Sequence, residues 1–330
     1  MILVSIIIPA YNTENFIGKC LERLTKQDYK NIEIIVMNDG STDKTLDIAL
    51  TYAKLDTRIK VFSQENSGTA IARINGASKA TGEYILFLDS DDFYEDKTIS
   101  KLVEIAQKYN TDLVKFRYQK YPQLTPQPLI IENVNHDLVI YKKDFTKVLY
   151  PLFITTYKLN TNYTLMIKKS CFKVKDIDSY RGLRFAEDLK LCLELFDNVT
   201  SVTIIPDILY NYYTNPTSCT LSSDINKILY NIDNFVTVYS LIYEYLKKWN
   251  MYTEQNLKLL NIKVLQEIAV FYKKIKLCDD KIYLAQNEDK IRKLIYSDIV
   301  NNAINSISIS DLDKNYKYYD TLIAVYNREI

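Results

Sequence analysis

Histidine is almost absent from this sequence: His136 is the only one among 330 residues. A Ser–His–Asp triad or a metal site built from several histidines is therefore disfavoured, and any general base is expected to be a carboxylate. His136 lies in the polar stretch 132–137, which favours a solvated loop residue over a metal ligand.

Glycine, proline and cysteine are also scarce. The 6 glycines and 7 prolines leave little room for long disordered linkers. The cysteines are scattered and no two have the spacing of metal ligands, so we expect reduced, buried thiols. They are Cys20, Cys171, Cys192, Cys219 and Cys278.

Neither sign of charge dominates, and long apolar runs are missing. The 42 basic and 41 acidic side chains give a net charge of +1. A dedicated nucleic-acid binder usually carries a basic excess, so no nucleic-acid partner is expected. No apolar run is long enough to predict a membrane span, and the first residues lack the basic region and cleavage site of a signal peptide. We expect a cytoplasmic protein.

Two periodicities alternate along the first 116 residues. Continuous apolar runs, typical of strands buried on both faces, alternate with apolar residues at helical spacing. The apolar runs are 4–9, 32–37, 59–62, 84–88 and 112–116, and the helical stripes are 17–24, 46–53, 70–77 and 99–106. This alternation predicts an α/β fold with a mainly parallel, Rossmann-like sheet flanked by helices.

Polar residues follow the apolar runs. In parallel sheets ligands bind at the carboxyl ends of the strands, so we expect these polar residues to share one edge. They occur at 11–12, 38–40, 64–68 and 89–92.

The last of these segments, Asp89-Ser90-Asp91-Asp92, is the most acidic. Carboxylates two residues apart in an extended segment point the same way and offer hard oxygen ligands for Mg²⁺ or Mn²⁺. Such an ion could bridge a diphosphate and neutralise a leaving nucleoside diphosphate. The alternative is an acidic loop in which Asp92 or Asp96 caps the next helix.

The other three segments each carry one candidate ligand-binding residue. Tyr11 could stack on a nucleotide base or cover the core. Asp39 could accept a hydrogen bond from a pyrimidine ring N–H or serve as a turn residue before Gly40. Arg73, in a helix that begins near residue 69, suits an anionic group, with an ordinary surface charge as the alternative.

Together the four segments resemble glycosyltransferase family 2, whose members have the type A fold and use nucleotide-sugar donors. The matching motifs are Pro-x-Tyr-Asn at 9–12, Asp-Gly-Ser-x-Asp at 39–43, Asn-x-Gly-x-x-x-Ala-Arg at 66–73 and Asp-x-Asp at 89–91. The resemblance is close over the first third of the chain, looser to about residue 220, and not claimed beyond.

The resemblance implies roles for the matching residues. Tyr11 would stack on uracil and Asp39 would bond its ring nitrogen; the other donor-site positions are Pro9, Glu14 and Asn66 lining the nucleoside, Arg73 near its polar face, Asp89 and Ser90 at the ribose or sugar, and Asp91 on Mn²⁺ or Mg²⁺.

The family also carries a Glu-Asp pair before an amphipathic helix, here Glu187-Asp188. By resemblance, Asp188 is the general base that deprotonates the acceptor hydroxyl in an inverting displacement. The alternative is an acid that interacts with the helix macrodipole. The family often reads Tyr-x-Tyr-Arg further on, whereas Tyr213 stands in the basic position here. Tyr212, Tyr213 or Ser218 could replace that diphosphate contact by hydrogen bonding.

The later sequence predicts two further regions. Residues 1–116 would form the nucleotide-sugar half of a catalytic domain, 117–220 its acceptor half, and 221–330 a helical C-terminal region. Three prolines make 121–128 a loop or lid candidate. Apolar stripes at 225–239 and 257–271 indicate helices.

The second of these helices is flanked by basic residues, which are Lys258, Lys263, Lys273, Lys274 and Lys276. This face could rest on anionic lipid at the inner surface of a membrane, where a lipid-linked acceptor would lie. The favoured alternative is a solvated helix face with core packing, and a third is a homo-oligomer formed through the apolar stripes of the helices.

The resemblance therefore implies inverting transfer of a hexose or N-acetylhexosamine from a UDP-sugar to a hydroxyl of a bacterial surface polysaccharide or of a lipid- or protein-linked glycan. A nucleotidyltransferase would usually need a glycine-rich basic loop after the first strand, which residues 11–14 do not supply. A non-catalytic nucleotide- or glycan-binding partner of another glycosyltransferase is the remaining alternative.

Overall fold

The computed structural model describes residues 1–156, 158–183, 187–214, 225–277 and 281–328, without the side chains of 225–234 and 281–283. Ser218, Cys219, Cys278 and the side chains of the first apolar stripe up to residue 234 lie outside this description. The described residues form two compact units. One comprises Met1–Phe145, Lys158–Leu183 and Glu187–Thr214, and the other contains 146–156 and the residues from 225 onward.

The first unit is built on a ten-stranded sheet. Its strands are β1 (Val4–Ala10), β2 (Ile32–Asp39), β3 (Ile59–Gln64), β4 (Tyr84–Phe87), β5 (Phe93–Tyr94), β6 (Leu113–Tyr121), β7 (Thr125–Pro126), β8 (Leu138–Tyr141), β9 (Leu165–Lys168) and β10 (Ser201–Tyr213). The spatial order is β3-β2-β1-β4-β9-β6-β10-β5, with β7 on β6 and β8 on β10. Strands β1, β2, β3, β4, β6 and β10 run in one direction, and the other four oppose them.

Helices cover both faces of the sheet. In the first unit they are α1 (Ile17–Thr25), α2 (Thr45–Leu55), α3 (Thr69–Lys79), α4 (Thr98–Tyr109) and α7 (Glu187–Asn198); α5 (Phe145–Val148) follows β8. The second unit contains α6 (Tyr150–Thr155), α8 (Ile225–Lys248), α9 (Glu254–Lys276), α10 (Lys281–Gln286), α11 (Glu288–Ile295), α12 (Asp298–Asn305) and α13 (Tyr319–Tyr326).

The central strand β1 explains how helices pack on both sides. All seven of its residues are buried, and successive side chains point to opposite faces. Ile6 and Ile8 join the hydrophobic cluster that includes the apolar face of α1. Ile7 points the other way, towards α3, where a Cβ at Gly76 would lie 2.4 Å from Ile7 Cγ2. Glycine at this position therefore permits close packing of α3 on the sheet.

The predicted α/β fold with a sheet flanked by helices and with C-terminal helices is confirmed. The loop predicted at 121–128 is confirmed in part, because residues 122–124 form a turn and 127–128 have no regular structure, while Tyr121 ends β6 and Thr125–Pro126 form β7, which pairs with it. Pro126 is tolerated there because β7 pairs only with β6, so the missing N–H faces away from the ladder.

The second unit alters one prediction about the basic residues of α9. Lys263 is buried, and its Nζ donates a hydrogen bond to the carbonyl oxygen of Thr156 at 3.0 Å. Burial lowers the pKa of Lys263 to about 8. Lys258 forms an ion pair with Asp311 at 2.6 Å. The predicted basic face therefore lacks Lys263, because the long side chain of this residue is buried in the core.

Among the helices that the structure describes, none has both the length and the apolar character needed to cross a membrane.

Candidate active site

The polar segments after β1 and β2 lie side by side and are joined by reciprocal hydrogen bonds. Thr42 N donates to Asn12 Oδ1 at 2.9 Å, and Asn12 N donates to Ser41 Oγ at 3.1 Å. Lys44 N donates in the same way to Glu14 Oε2 at 2.9 Å. Asn12 adopts a left-handed conformation, φ 50°, to make this crossing. Two adjacent loops therefore hold each other in place at the edge of the sheet.

These loops carry three predicted donor-site residues. Tyr11 is 49% exposed, so its side chain is accessible to a ligand. Pro9 is buried within β1. The Glu14 carboxylate faces the neighbouring loop through Lys44 N.

Asp39, at the end of β2, is buried and holds the start of α3. Its Oδ1 accepts hydrogen bonds from Ser67 N and Gln64 Nε2, both at 2.8 Å, and its Oδ2 accepts one from Gly68 N at 2.9 Å. A carboxylate offers about four acceptor positions, so one on Oδ2 remains for a ligand.

Gly40 lets the loop before α3 approach the end of β2. Its φ is +73°, and a Cβ there would lie 2.8 Å from the backbone nitrogen of Asn66. Asn66 itself is exposed. The loops after β1, β2 and β3 therefore lie together, as the sequence pattern indicates.

Arg73 lies at the centre of the site and is almost fully buried, at 3% exposure. Its Nη2 is 2.5 Å from Asp89 Oδ1, and its Nη1 is 2.8 Å from Asp188 Oδ1. Burial alone would lower the pKa of Arg73, but these two carboxylates raise it above its usual value. The interpretation of Arg73 as a surface charge is wrong, since it joins two acids that are 99 residues apart.

Asp188 lies in the first turn of α7, beside Glu187. Burial raises the pKa of Asp188, while Arg73 opposes that rise. Burial and the neighbouring Asp188 charge raise the pKa of Glu187 to about 7. Carboxylates with raised pKa values are suited to proton transfer near neutral pH.

The sequence did not reveal Asn162, which contacts Asp188. Asn162 Nδ2 donates a hydrogen bond to Asp188 Oδ1 at 2.8 Å, and the residue is fully buried. It lies in the 3₁₀ turn Asn162–Thr164 before β9. The polar run before the apolar residues 165–167 is the only local signal for it.

The acidic loop after β4 has a divided role. Asp92 is buried and anchored: its Oδ2 accepts a hydrogen bond from Tyr210 OH at 2.5 Å and its Oδ1 one from Tyr213 N at 2.6 Å. Lys97 is the N-cap of α4 and no side chain caps that helix, so neither Asp92 nor Asp96 has the predicted capping alternative.

Asp91 differs from Asp92 because its side chain hydrogen bonds to no other described residue. Burial and the adjacent Asp89 charge raise the pKa of Asp91 to about 6. Ser90, between the two acids, is buried. A divalent cation would relieve the repulsion between these carboxylates.

Within the described ranges no group of three or more His, Cys, Asp or Glu side chains forms a ready metal site. Mg²⁺ is usually held by one or two carboxylates, with waters and substrate phosphates completing the coordination shell. The free Asp91 carboxylate next to Asp89 fits a site of that kind.

Tyr213 occupies the position at which the Tyr-x-Tyr-Arg motif has arginine. Its ring packs among other aromatic rings. The ring centroids of Tyr213 and Phe16 are 5.7 Å apart, and those of Tyr213 and Tyr121 are 6.3 Å apart. Ser218 lies outside the described residues.

Comparison with known proteins gives a consistent picture. The model for "Glycosyl transferase family 2" matches residues 5–172. The chain is 33% identical over 218 residues to "Uncharacterized glycosyltransferase EpsJ" of Bacillus subtilis (strain 168), a match over 66% of this chain and 63% of that protein. The chain thus spans less than two thirds of the length of the first curated relatives it matches.

Two solved structures share the fold. S. aureus TarS 1–349, in complex with UDP-GlcNAc, aligns with a TM-score of 0.67 and 18% identity over 99% of this chain and 91% of that chain. The mannosyltransferase PcManGT from Pyrobaculum calidifontis, in complex with GDP-Man and Mn²⁺, aligns with a TM-score of 0.52 and 15% identity over 98% and 86%.

Proposed function

The chain belongs to glycosyl transferase family 2, and we propose that it is an inverting glycosyltransferase that transfers a hexose or N-acetylhexosamine from a UDP-sugar to an acceptor hydroxyl. The observation that carries this proposal is the cluster in which Arg73 joins Asp89 to Asp188. It supports the proposal because Arg73 links Asp188, the proposed base, to Asp89 of the acidic loop after β4.

The donor half of the proposal rests on residues 1–116. The half-exposed Tyr11 ring can stack on uracil, and stacking of this kind contributes about 1–3 kcal/mol. Asp39 keeps one acceptor position for a pyrimidine N–H. A UDP donor is in keeping with TarS, whose structures contain UDP and UDP-GlcNAc.

Asp91, with Asp89 beside it, would hold a Mn²⁺ or Mg²⁺ ion. When bound, such an ion neutralises charge on a leaving diphosphate. PcManGT, a mannosyltransferase of the same fold, has been solved with Mn²⁺ and GDP-Man. Asp92 stabilises the acidic loop by accepting hydrogen bonds from Tyr210 OH and from the backbone N–H of Tyr213, at the end of β10.

Asp188 is the proposed base. It takes the proton of the acceptor hydroxyl as that oxygen forms a bond to the anomeric carbon. The bond between the anomeric carbon and the phosphate oxygen breaks on the opposite side, and its electron pair leaves with UDP, so the configuration inverts. Side-chain bases of this type contribute about 10²–10⁴-fold to rate.

The acceptor half, residues 117–220, offers an aromatic surface near this base. The half-buried rings of Tyr118 and Tyr212 have centroids 6.2 Å apart, and Tyr163 packs against Tyr118 at 5.8 Å. Tyr163 follows directly after Asn162, the Asp188 partner. Aromatic faces suit the apolar face of a sugar ring, so a glycan acceptor fits here. The helical region 221–330 would then serve a lipid-linked acceptor at a membrane surface or a homo-oligomer.

Calorimetric titration of UDP with and without Mn²⁺, followed by UDP release from a panel of UDP-sugars, tests the proposal. We expect metal-dependent UDP binding that Asp91→Ala abolishes and that Asp47→Ala, an exposed acid of α2, leaves unchanged. Asp188→Asn should bind UDP normally but release it from the preferred UDP-sugar about 10²–10⁴-fold more slowly.

A folded protein that binds no nucleotide would refute the donor site and favour the non-catalytic partner. Wild-type turnover by Asp188→Asn would refute the assignment of the base alone.

A further inference from the structure

The environment of Asp188 divides its two carboxylate oxygens. We propose that Asn162 is a positioning residue that holds Asp188 Oδ1, so that Oδ2 is the atom that receives the acceptor proton. This inference rests on the proposed function, in which Asp188 is the base.

The hydrogen bonds around Asp188 are one-sided. Oδ1 accepts from Arg73 Nη1 and from Asn162 Nδ2, both at 2.8 Å. Two donors fill the lone pairs of that oxygen. Oδ2 accepts from no described residue, and the Asp188 side chain remains 29% exposed. The carboxylate therefore presents Oδ2 to the site.

A buried lysine forms hydrogen bonds that hold the turn containing Asn162. Lys115 of β6 is fully buried, and its Nζ donates to Thr161 O at 3.1 Å, to Thr161 Oγ1 at 2.6 Å and to Thr164 Oγ1. An ammonium group has three donors, and here all three are used on the turn. The turn is thus tied to the sheet on both sides of Asn162.

A purely structural role would not require an amide at this position. Asn162 Oδ1 is buried and has no hydrogen-bond partner among the described residues. Leaving a buried polar atom unpaired costs about 1–3 kcal/mol, and an apolar side chain would avoid that cost. Among the described residues, the Asn162 side chain makes one hydrogen bond, and it is to the carboxylate of the candidate base.

The hydrogen bond also affects proton affinity. A donor to the ionised form lowers a carboxyl pKa, which opposes the effect of burial on Asp188. The charged and titratable groups that face Asp188 are Glu187 and Cys192 from its own helix, Arg73 from α3, Asp89 after β4, Lys115 from β6 and Tyr163 before β9. Loss of the Asn162 donor should therefore raise the pKa of Asp188.

The test compares Asn162→Ala and the isosteric Asn162→Asp with Asn198→Ala. Asn198 lies at the far end of the same helix and likewise makes one side-chain hydrogen bond, to Lys173 O at 2.9 Å. The pH profiles of kcat and KM are measured for UDP release from UDP-GlcNAc with Mn²⁺, or from the UDP-sugar that wild type cleaves fastest. Thermal melting of each variant verifies folding.

We expect Asn162→Ala to lower kcat about 10–100-fold, as for a misplaced catalytic group, with KM changed less than about 2-fold and the acid limb moved to higher pH. Asn162→Asp should move that limb further, because it adds a like charge. Asn198→Ala should match wild type.

Two results would overturn the inference. If Asp188→Asn is inactive while folded Asn162→Ala keeps the kcat and acid limb of Asn198→Ala, Asn162 does not position the base and the proposed function stands. If Asp188→Asn itself turns over normally, the base assignment fails and the inference with it. Should Asn162→Ala not fold, Asn162→Leu, which has a similar shape but neither a donor nor a charge, decides between the same outcomes.

Discussion

Arg73 allows the sharpest test of how this site is held together. Replacing it by methionine keeps a long side chain but removes the only cation that contacts Asp89 and Asp188 among the described residues. Breaking a fully buried ion pair costs about 3–5 kcal/mol, because a charge is left without its partner. Asp89 and Asp188 are 23% and 29% exposed, so solvent offsets part of that cost. We expect a loss of about 2–3 kcal/mol.

This loss has a measurable size and pH dependence. In a unit of about 200 residues, 1 kcal/mol shifts Tm by about 2–4 °C, so Arg73→Met should lower Tm by roughly 5–10 °C. Without Arg73 the pKa of Asp188 rises further above its unfolded value. The resulting loss of folding free energy is complete at pH values above the pKa of Asp188 in the folded protein. It disappears at pH values below the pKa of Asp188 in the unfolded chain. The deficit should therefore be largest at pH 8 and shrink towards pH 5.

Calorimetric melting of Arg73→Met at pH 8, 6.5 and 5 checks both points. Lys26→Met is the control, since its ion pair with Glu22 is exposed and contributes little to stability. Adding Asp89→Asn should restore part of the lost stability by removing one unpaired charge. A Tm within about 1 °C of wild type at pH 8, or a deficit that grows on acidification, would refute this account.

Two further predictions concern the first unit. Gly40→Ala should displace the loop at Asn66 and weaken UDP binding about 10-fold or more, because the φ of residue 40 is +73° and a Cβ there would lie 2.8 Å from Asn66 N. The control Gly18→Ala should bind UDP like wild type, because the nearest atom to its Cβ would be 3.6 Å away. Equal UDP affinities of Gly40→Ala and wild type by calorimetry would contradict the prediction. Burial would raise the pKa of Glu33, but hydrogen bonds from Lys60, Ser5 and Thr81 lower it from 4.5 to about 2. Ionised Glu33 should therefore contribute about 3 kcal/mol to the free energy of unfolding above pH 4.5, and this contribution is lost as the pH falls towards 2. In urea titrations the stability deficit of Glu33→Gln relative to wild type should shrink between pH 6 and 3, and a constant deficit would contradict the prediction.

Local sequence pattern was sufficient for the donor half of the fold. The apolar runs at 4–9 and 32–37 became β1 and β2, because strands covered on both faces read as continuous apolar segments. The polar residues after those strands were predicted to share one edge of the sheet, because the carboxyl ends of parallel strands lie at the same edge. Parallel pairing between β1 and β2 then brought Asn12 next to Thr42.

Contacts across long sequence separations could not be predicted in that way. The roles expected of Asp39 and Glu14 were directed at a nucleoside, yet their carboxylates also bind backbone N–H groups of neighbouring loops. Nothing in the local pattern distinguishes an acid that faces a ligand from one that holds a loop. Asn162 was overlooked because a single amide before a short strand has no periodic signature.

Arg73 illustrates why a motif alone does not assign a role. Its position on α3 follows from helical spacing, and the motif indicates an anionic contact near the nucleotide. In the fold, α3 and α7 are in contact, and Arg73 of α3 forms an ion pair with Asp188 in the first turn of α7. The anions that Arg73 contacts among the described residues are Asp89 and Asp188, and the contact with a nucleotide that the motif implies stays a prediction.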